Sequence, residues 1–168
     1  MRRLKGYGSA LAITLALSSA GVCAGAGNAA ANAGVSSAAT PQAVTLSTDG
    51  QIVGPETVVG TWHATEAISD SGTHVEIFRL DGAGTITIHS EKTLTSANGS
   101  IVIDENAIVE PISPTVVTFD AGAWELHGTG AYATSHGEGT PAAGGTADLA
   151  TGVVHTFHTG VVHFDPPS

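Results

Sequence analysis

Short segments in which apolar and polar residues alternate run along much of the chain, and turn residues separate them. Residues 74–80 alternate Val75 and Ile77 with polar neighbours, and residues 85–90 alternate in the same way. Ile101 and Ile103 fall on one face of a further segment. A period of two is what a β-strand requires when one of its faces is buried. Because no segment of about ten residues has a helical period, the pattern predicts an all-β fold.

Glycine, asparagine and proline predict where the strands end. The segment 81–84 (DGAG) predicts a turn, and Asn98-Gly99 predicts a type I′ hairpin, in which both turn residues must accept positive φ. Pro111 and Pro114 predict an edge or a crossing loop. The sequence allows a single helical turn near residues 131–134.

Two further turns are predicted in the second half of the chain. Asp120-Ala121-Gly122 would separate a strand at 115–119 from one at 123–127. Thr159-Gly160 would join residues 153–158 and 161–164 as a closing hairpin. Eight or more short strands at this spacing indicate a β-barrel or a sandwich. A small antiparallel barrel of about eight strands is favoured because closure hides the sheet edges of a chain with few charges.

The first 33 residues have the features of a secretory signal peptide. Arg2, Arg3 and Lys5 precede a short apolar core, LAITLAL, and Ala31-Asn32-Ala33 is an A-x-A cleavage site. The apolar stretch is too short for a membrane anchor, which needs ~20 residues. We therefore expect a secreted protein cleaved near Ala33, with a flexible leader at 34–42 and the barrel at 43–168.

Removal of the signal peptide changes the chemistry of the chain. Cys23 leaves with it, so disulfide and cysteine chemistry are excluded from the mature protein. Arg79 and Lys92 remain as the basic side chains against 15 acidic ones. This balance argues against nucleic acid, which needs clustered lysine and arginine, and against anionic membrane surfaces.

One part of the chain resembles a known group of barrels. The match consists of Trp124, the segment GTGAYA at 128–133, GEGT at 137–140 and HTGVVH at 158–163. These segments resemble small secreted bacterial proteins of the allene oxide cyclase and dirigent barrel group, over roughly Ala123–Phe164. The resemblance implies an eight-stranded antiparallel barrel, often a homo-oligomer, with aromatic side chains tucked inward. Plant members guide cyclisation or radical coupling of hydrophobic small molecules inside the barrel, but none of their catalytic residues maps onto this chain.

The histidines are the most unusual candidate site residues. If Thr159-Gly160 is the hairpin loop, His158 and His163 become diagonal neighbours on one face. His155 then lies on the other, apolar face beside Phe157, and we expect both inside the barrel. A metal would need a third ligand, and no HxH or HExxH spacing is present, so we expect no metal site. The ligand-binding residues expected are His155, Phe157, Trp124 and Tyr132.

No catalytic signature accompanies these residues. The nucleophile elbow G-x-S-x-G is absent, and Asp104 and Glu105 are adjacent, so on a strand they face opposite sides. The segment from Gly128 to Ala133 fits a dinucleotide fingerprint, but Gly137 and Pro141 prevent the helix that it needs, so no cofactor is expected. These features favour a non-catalytic barrel that holds an apolar small molecule. The alternatives are an isomerase or cyclase acting on an apolar substrate, which rests on the resemblance alone, and a structural or surface-interaction protein.

Overall fold

The structure is a computed structural model that describes residues 40–166. The predicted signal peptide at 1–33 and most of the predicted leader lie outside these residues. The described part contains nine strands and one short 3₁₀ turn, Gly130–Tyr132. The strands are β1 (Gln42–Gly54), β2 (Thr57–Glu66), β3 (Asp70–Asp81), β4 (Ile86–Thr95), β5 (Ser100–Pro111), β6 (Val116–Gly128), β7 (Ser135–Pro141), β8 (Thr146–Asp148) and β9 (Val153–Phe164). No helix in this part of the chain has the length and apolar character needed to cross a bilayer.

The strands form one closed antiparallel barrel. From β1 to β6 each strand pairs with the next along the chain. The second half of β6 pairs with β7 and its first half with β8, and both of these pair with β9. β7 and β8 therefore share one position, and the barrel has eight. β9 closes it against β1, from Gln42 opposite Val162 to Gln51 opposite Val153. The predicted eight-stranded antiparallel barrel is confirmed.

Two of the predicted turns are wrong, because β6 and β9 each run without interruption through them. Gly122 lies within β6 and Gly160 within β9. A Cβ at Gly160 would lie 2.6 Å from the ring of Trp124 and closer still to the Glu138 carbonyl oxygen. Glycine is present there because a neighbouring strand and an indole ring approach the backbone closely, and not because the chain turns.

The connection between β4 and β5 also differs from the prediction. It spans residues 96–99, and Gly99 has a positive φ of 152°. Among residues 40–166, Glu66 is the only residue other than glycine with a positive φ. Asn98 therefore does not adopt the conformation that a type I′ turn requires, and the predicted turn type is wrong.

The inward-facing side chains form three layers. At one end, which we call the closed end, lies a large apolar cluster that includes Trp62, Trp124 and Tyr132. At the other, which we call the open end, lies a second apolar cluster that includes Ile88 and Phe119. Between them lies a polar belt of buried side chains: Thr48, His74, Glu76, Ser90, Lys92, Glu105, Thr156 and His158.

The predicted faces hold in some strands and are inverted in two, β3 and β9. Ile101 and Ile103 are both fully buried, as their shared face predicts. In β3 the apolar residues point outward, since Val75 is 47% exposed and Ile77 51% exposed. The polar members of that alternation, including Glu76, point into the barrel and form part of the polar belt.

Candidate ligand-binding cavity

A cavity of about 150 Å³ occupies the open end of the barrel. Its rim includes the exposed side chains of Leu80, Ile86 and Leu149. Its floor is polar and includes Glu76, Lys92, Glu105 and Thr156. The remaining lining is apolar: Ile52, Val58, Phe78, Ile88, Val109, Val117, Phe119, Ala147 and Val154.

The order of residues along β3 and β4 produces this gradient from apolar rim to polar floor. Alternate residues of a strand share a face. Along β4 the inward residues run Ile86, Ile88, Ser90 and Lys92, from the rim to the floor. Along β3 they run in the opposite direction, from Glu76 at the floor through Phe78 to Leu80 at the rim. The antiparallel register places Glu76 directly opposite Lys92, so the charged residues of neighbouring strands meet at one depth.

Lys92 is the centre of the polar floor. Its side chain is 1% exposed, and its Nζ lies 3.3 Å from a carboxylate oxygen of Glu76. The same Nζ donates to Ser90 Oγ at 3.0 Å and to Glu105 Oε2. The fully buried His158 places its Nε2 3.2 Å from that same Glu105 oxygen. Four strands, β3, β4, β5 and β9, therefore contribute to one buried network.

These contacts keep the buried ion pairs charged. Burial alone would lower the pKa of Lys92, but the carboxylates of Glu76 and Glu105 raise it above its ordinary value. Burial alone would raise the pKa of Glu105, but the Lys92 ammonium and the hydrogen bond from His158 hold it well below its usual range. Lys92 is thus held as an ammonium and Glu105 as a carboxylate.

Three buried side-chain atoms in residues 40–166 have no hydrogen-bond partner: His74 Nε2, Glu76 Oε2 and His158 Nδ1. Burial lowers the pKa of His74, which keeps its ring neutral. Its Nδ1 lies 3.2 Å from the Thr61 carbonyl oxygen and must donate to it, so Nε2 is left as an acceptor. His74 Nε2 and Glu76 Oε2 are therefore unpartnered acceptors.

Trp124 and Tyr132, two of the predicted ligand-binding residues, lie inside the barrel but away from the cavity. Both belong to the closed-end cluster. Trp124 donates from Nε1 to the Thr140 carbonyl at 3.0 Å and packs edge-on against His158, with 6.2 Å between ring centroids. Tyr132 donates from its hydroxyl to Asp70. Both aromatics fill and seal the closed end.

The interior position predicted for His155 and Phe157 is wrong. The His155 side chain is 48% exposed and pairs with Asp49 at 2.5 Å, and Phe157 is 40% exposed. The error follows from the predicted hairpin at 159–160, because an unbroken β9 instead points Val154, Thr156 and His158 inward. His158 and His163 are five positions apart on that strand, so they occupy opposite faces and are not neighbours on one face.

Sequence reasoning missed the polar floor, although β4 carried a signal for it. Extending the face of Ile86 and Ile88 along the strand reaches Ser90, Lys92 and Leu94. A lysine between two apolar residues of one buried face predicts a buried charge with a partner.

The described residues contain no group of three or more histidine, cysteine, aspartate or glutamate side chains arranged to hold a metal ion. Comparison of the chain with family models, with curated proteins and with solved structures finds no match.

Proposed function

We propose that this protein binds a small, mainly apolar molecule in the open-end cavity of its barrel. The observation that carries the proposal is the cavity itself, which is walled by apolar side chains from eight strands and floored by a fixed polar network. Concave, mostly apolar sites with a few convergent polar groups are the usual form of small-molecule sites. Barrels of about eight strands can hold one small ligand. We take the protein to be exported, as its N-terminal sequence predicts.

The cavity volume limits the size of the ligand. A dry apolar cavity of ~150 Å³ holds one benzene molecule, and this cavity has about that volume. Sites for larger ligands measure ~300–1,000 Å³. The ligand is therefore a single ring or a short hydrocarbon chain, and a longer molecule would extend past Leu80 and Leu149 at the rim.

Binding is better supported than the isomerase or cyclase alternative. The ionisable residues among those lining the cavity are Glu76, Lys92 and Glu105. These three are ion-paired with one another. A general base or acid must exchange a proton with its substrate, and a carboxylate held by a buried ammonium is poorly placed to do so.

The test is whether filling the cavity abolishes binding. Toluene at increasing concentration should raise the melting temperature of the purified protein, because a ligand that binds only the folded state stabilises it. Ala147→Phe and Val154→Phe each place a ring in the cavity, and both should lose the shift. Ala123→Phe, on the exposed outer face of β6, is the matched control and should keep it.

The apo melting temperature of each variant shows whether it folds, and two separate filling positions guard against the failure of one. A wild-type protein that shows no shift with toluene or with other single-ring compounds would overturn the proposal. So would a folded filled variant that retains the shift.

A further inference from the structure

At the floor of the cavity, the hydrogen-bond donors of Lys92 are all used, whereas one acceptor has no partner. An ammonium has three N–H donors. Those of Lys92 are directed to Glu76, Ser90 and Glu105. Lys92 therefore has no N–H left for a ligand, although it is part of the floor.

Glu76 has the opposite character. It is 3% exposed, and one of its carboxylate oxygens contacts Lys92 while Oε2 has no partner. A buried acceptor without a partner is unfavourable, and more so when it is charged. Glu76 is one of the residues that line the cavity floor, so a donor at the bottom of the cavity would lie beside its carboxyl group.

The charge at the floor points the same way. The carboxyl groups of Glu76 and Glu105 share the single ammonium of Lys92. Opposite charge from a ligand would be favourable there, and a second anion would be repelled in a region of low dielectric. A carboxylate, ketone or ether head group would bring only further acceptors to a cavity floor whose unpartnered atom, Glu76 Oε2, is itself an acceptor.

We infer that the ligand is a small apolar amine, whose ammonium lies at the bottom of the cavity and donates to Glu76 Oε2. Its hydrocarbon body lies along the apolar wall that includes Phe78, Ile88 and Phe119. This inference rests on the proposed function and names the chemistry of the ligand.

A series of ligands with one shape and four head groups tests it. Benzylamine, benzyl alcohol, toluene and benzoate are titrated into the purified protein at pH 7 by calorimetry. Benzylamine should bind at least about tenfold more tightly than toluene, since a charged hydrogen bond contributes ~1.5–3 kcal/mol. Benzyl alcohol should lie between them, and benzoate should not bind.

Glu76→Gln tests the position of the head group. It keeps the shape of the side chain and removes its charge, so benzylamine affinity should fall about tenfold while toluene affinity stays within about twofold. Glu138→Gln, on the exposed face of β7, is the matched control and should change neither. The ligand series on the unchanged protein is decisive even if Glu76→Gln fails to fold.

The outcomes separate this inference from the proposed function. Equal affinity for toluene and benzylamine would overturn the inference and leave binding in the cavity intact. Equal affinity for benzyl alcohol and benzylamine, or tighter binding of benzoate, would also overturn it. Binding of none of the four compounds would overturn both.

Discussion

The two ends of the barrel are built from the same strands but are filled very differently. The closed end contains two tryptophans and a tyrosine, and the 3₁₀ turn that carries Tyr132 lies at this end. The open end contains two phenylalanines and otherwise aliphatic side chains around a cavity. The interior of an eight-stranded barrel is just wide enough to be filled by side chains. Side-chain volume thus decides which end is a filled core and which end keeps a cavity.

The polar belt separates these two ends. A ligand bound at the open end would meet charged groups at the floor, whereas the closed end beyond them is filled by buried apolar side chains. The predictions that follow test this division, from the largest expected effect to the smallest.

Replacement of Lys92 should have the largest effect. Lys92→Met leaves Glu76 and Glu105 buried without their ammonium partner. Removing one partner of a buried ion pair typically costs ~3–5 kcal/mol. We expect the free energy of unfolding, measured by urea denaturation, to fall by about that amount.

Two controls separate the buried charges from general disruption. Arg79→Met breaks the exposed pair of Arg79 with Asp81 and should cost less than about 1 kcal/mol. The triple variant Lys92→Met, Glu76→Gln, Glu105→Gln removes the unpaired charges and should recover part of the loss. If Lys92→Met lowers the free energy of unfolding no more than Arg79→Met does, the buried ion pairs of the polar belt do not stabilise the barrel as described here.

Matched isoleucine truncations compare the two ends directly. Ile103 is fully buried at the closed end, and Ile88 borders the cavity at the open end. Ile→Ala in a core costs ~2–5 kcal/mol, and more where the surrounding side chains cannot close the gap. Ile103→Ala should fall in the upper half of that range and Ile88→Ala in the lower half, by urea denaturation. Equal losses would contradict the difference in packing between the ends.

Lowering the pH should destabilise the closed end through protonation of Asp70, with a smaller effect than the substitutions above. Asp70 accepts from the Tyr132 hydroxyl, from Asn98 Nδ2 at 3.1 Å and from the Ser71 amide at 2.8 Å. Hydrogen bonds from the hydroxyls of Ser96 and Tyr132 hold the pKa of Asp70 well below its usual range. Because the folded pKa is lowered, the stabilisation is present above about pH 3.9, the pKa of an unfolded aspartate, and is lost as the pH falls below it.

The measurement is the free energy of unfolding between pH 6 and pH 2. Asp70→Asn should make its slope shallower below about pH 4. Asp104→Asn, on the outer face of β5, is the matched control and should keep the wild-type slope. An unchanged slope in Asp70→Asn would show that this cluster does not seal the closed end.

The sequence predicts the fold class and the closed end well. Trp124 and Leu126 alternate with exposed residues, and Ile101 and Ile103 share a buried face, so these positions follow the period of two. The open end could not be predicted in the same way. Volume is a property of side chains brought together from many strands, and no single segment encodes an empty space.

The polar floor could not be predicted from the sequence for a second physical reason. The alternation of apolar and polar residues distinguishes the two faces of a strand, and the usual interpretation places the polar face in solvent. In β3 that assignment is reversed, because Glu76 finds Lys92 inside the barrel while Val75 and Ile77 face outward. The partners lie on different strands, so the compensation becomes visible only when the register is known.

The interior position predicted for His155 and Phe157 in β9 is wrong because of one glycine. A turn at Gly160, as the sequence predicts, would reverse the faces on which His155 and Phe157 lie. Its real role is to admit the Trp124 ring and the β7 backbone, an approach between strands that the local sequence does not reveal.

The pairing of β9 with β1 has a kinetic consequence. The first and last strands of the barrel close it, so the final hydrogen-bonded ladder cannot form until the C-terminal strand has been synthesised. Pairing between distant parts of a chain is slow, and all-β folds of this kind typically fold in milliseconds to seconds. Until closure, β1 presents an unpaired edge, and a chain that ends before β9 would keep that edge available to other molecules.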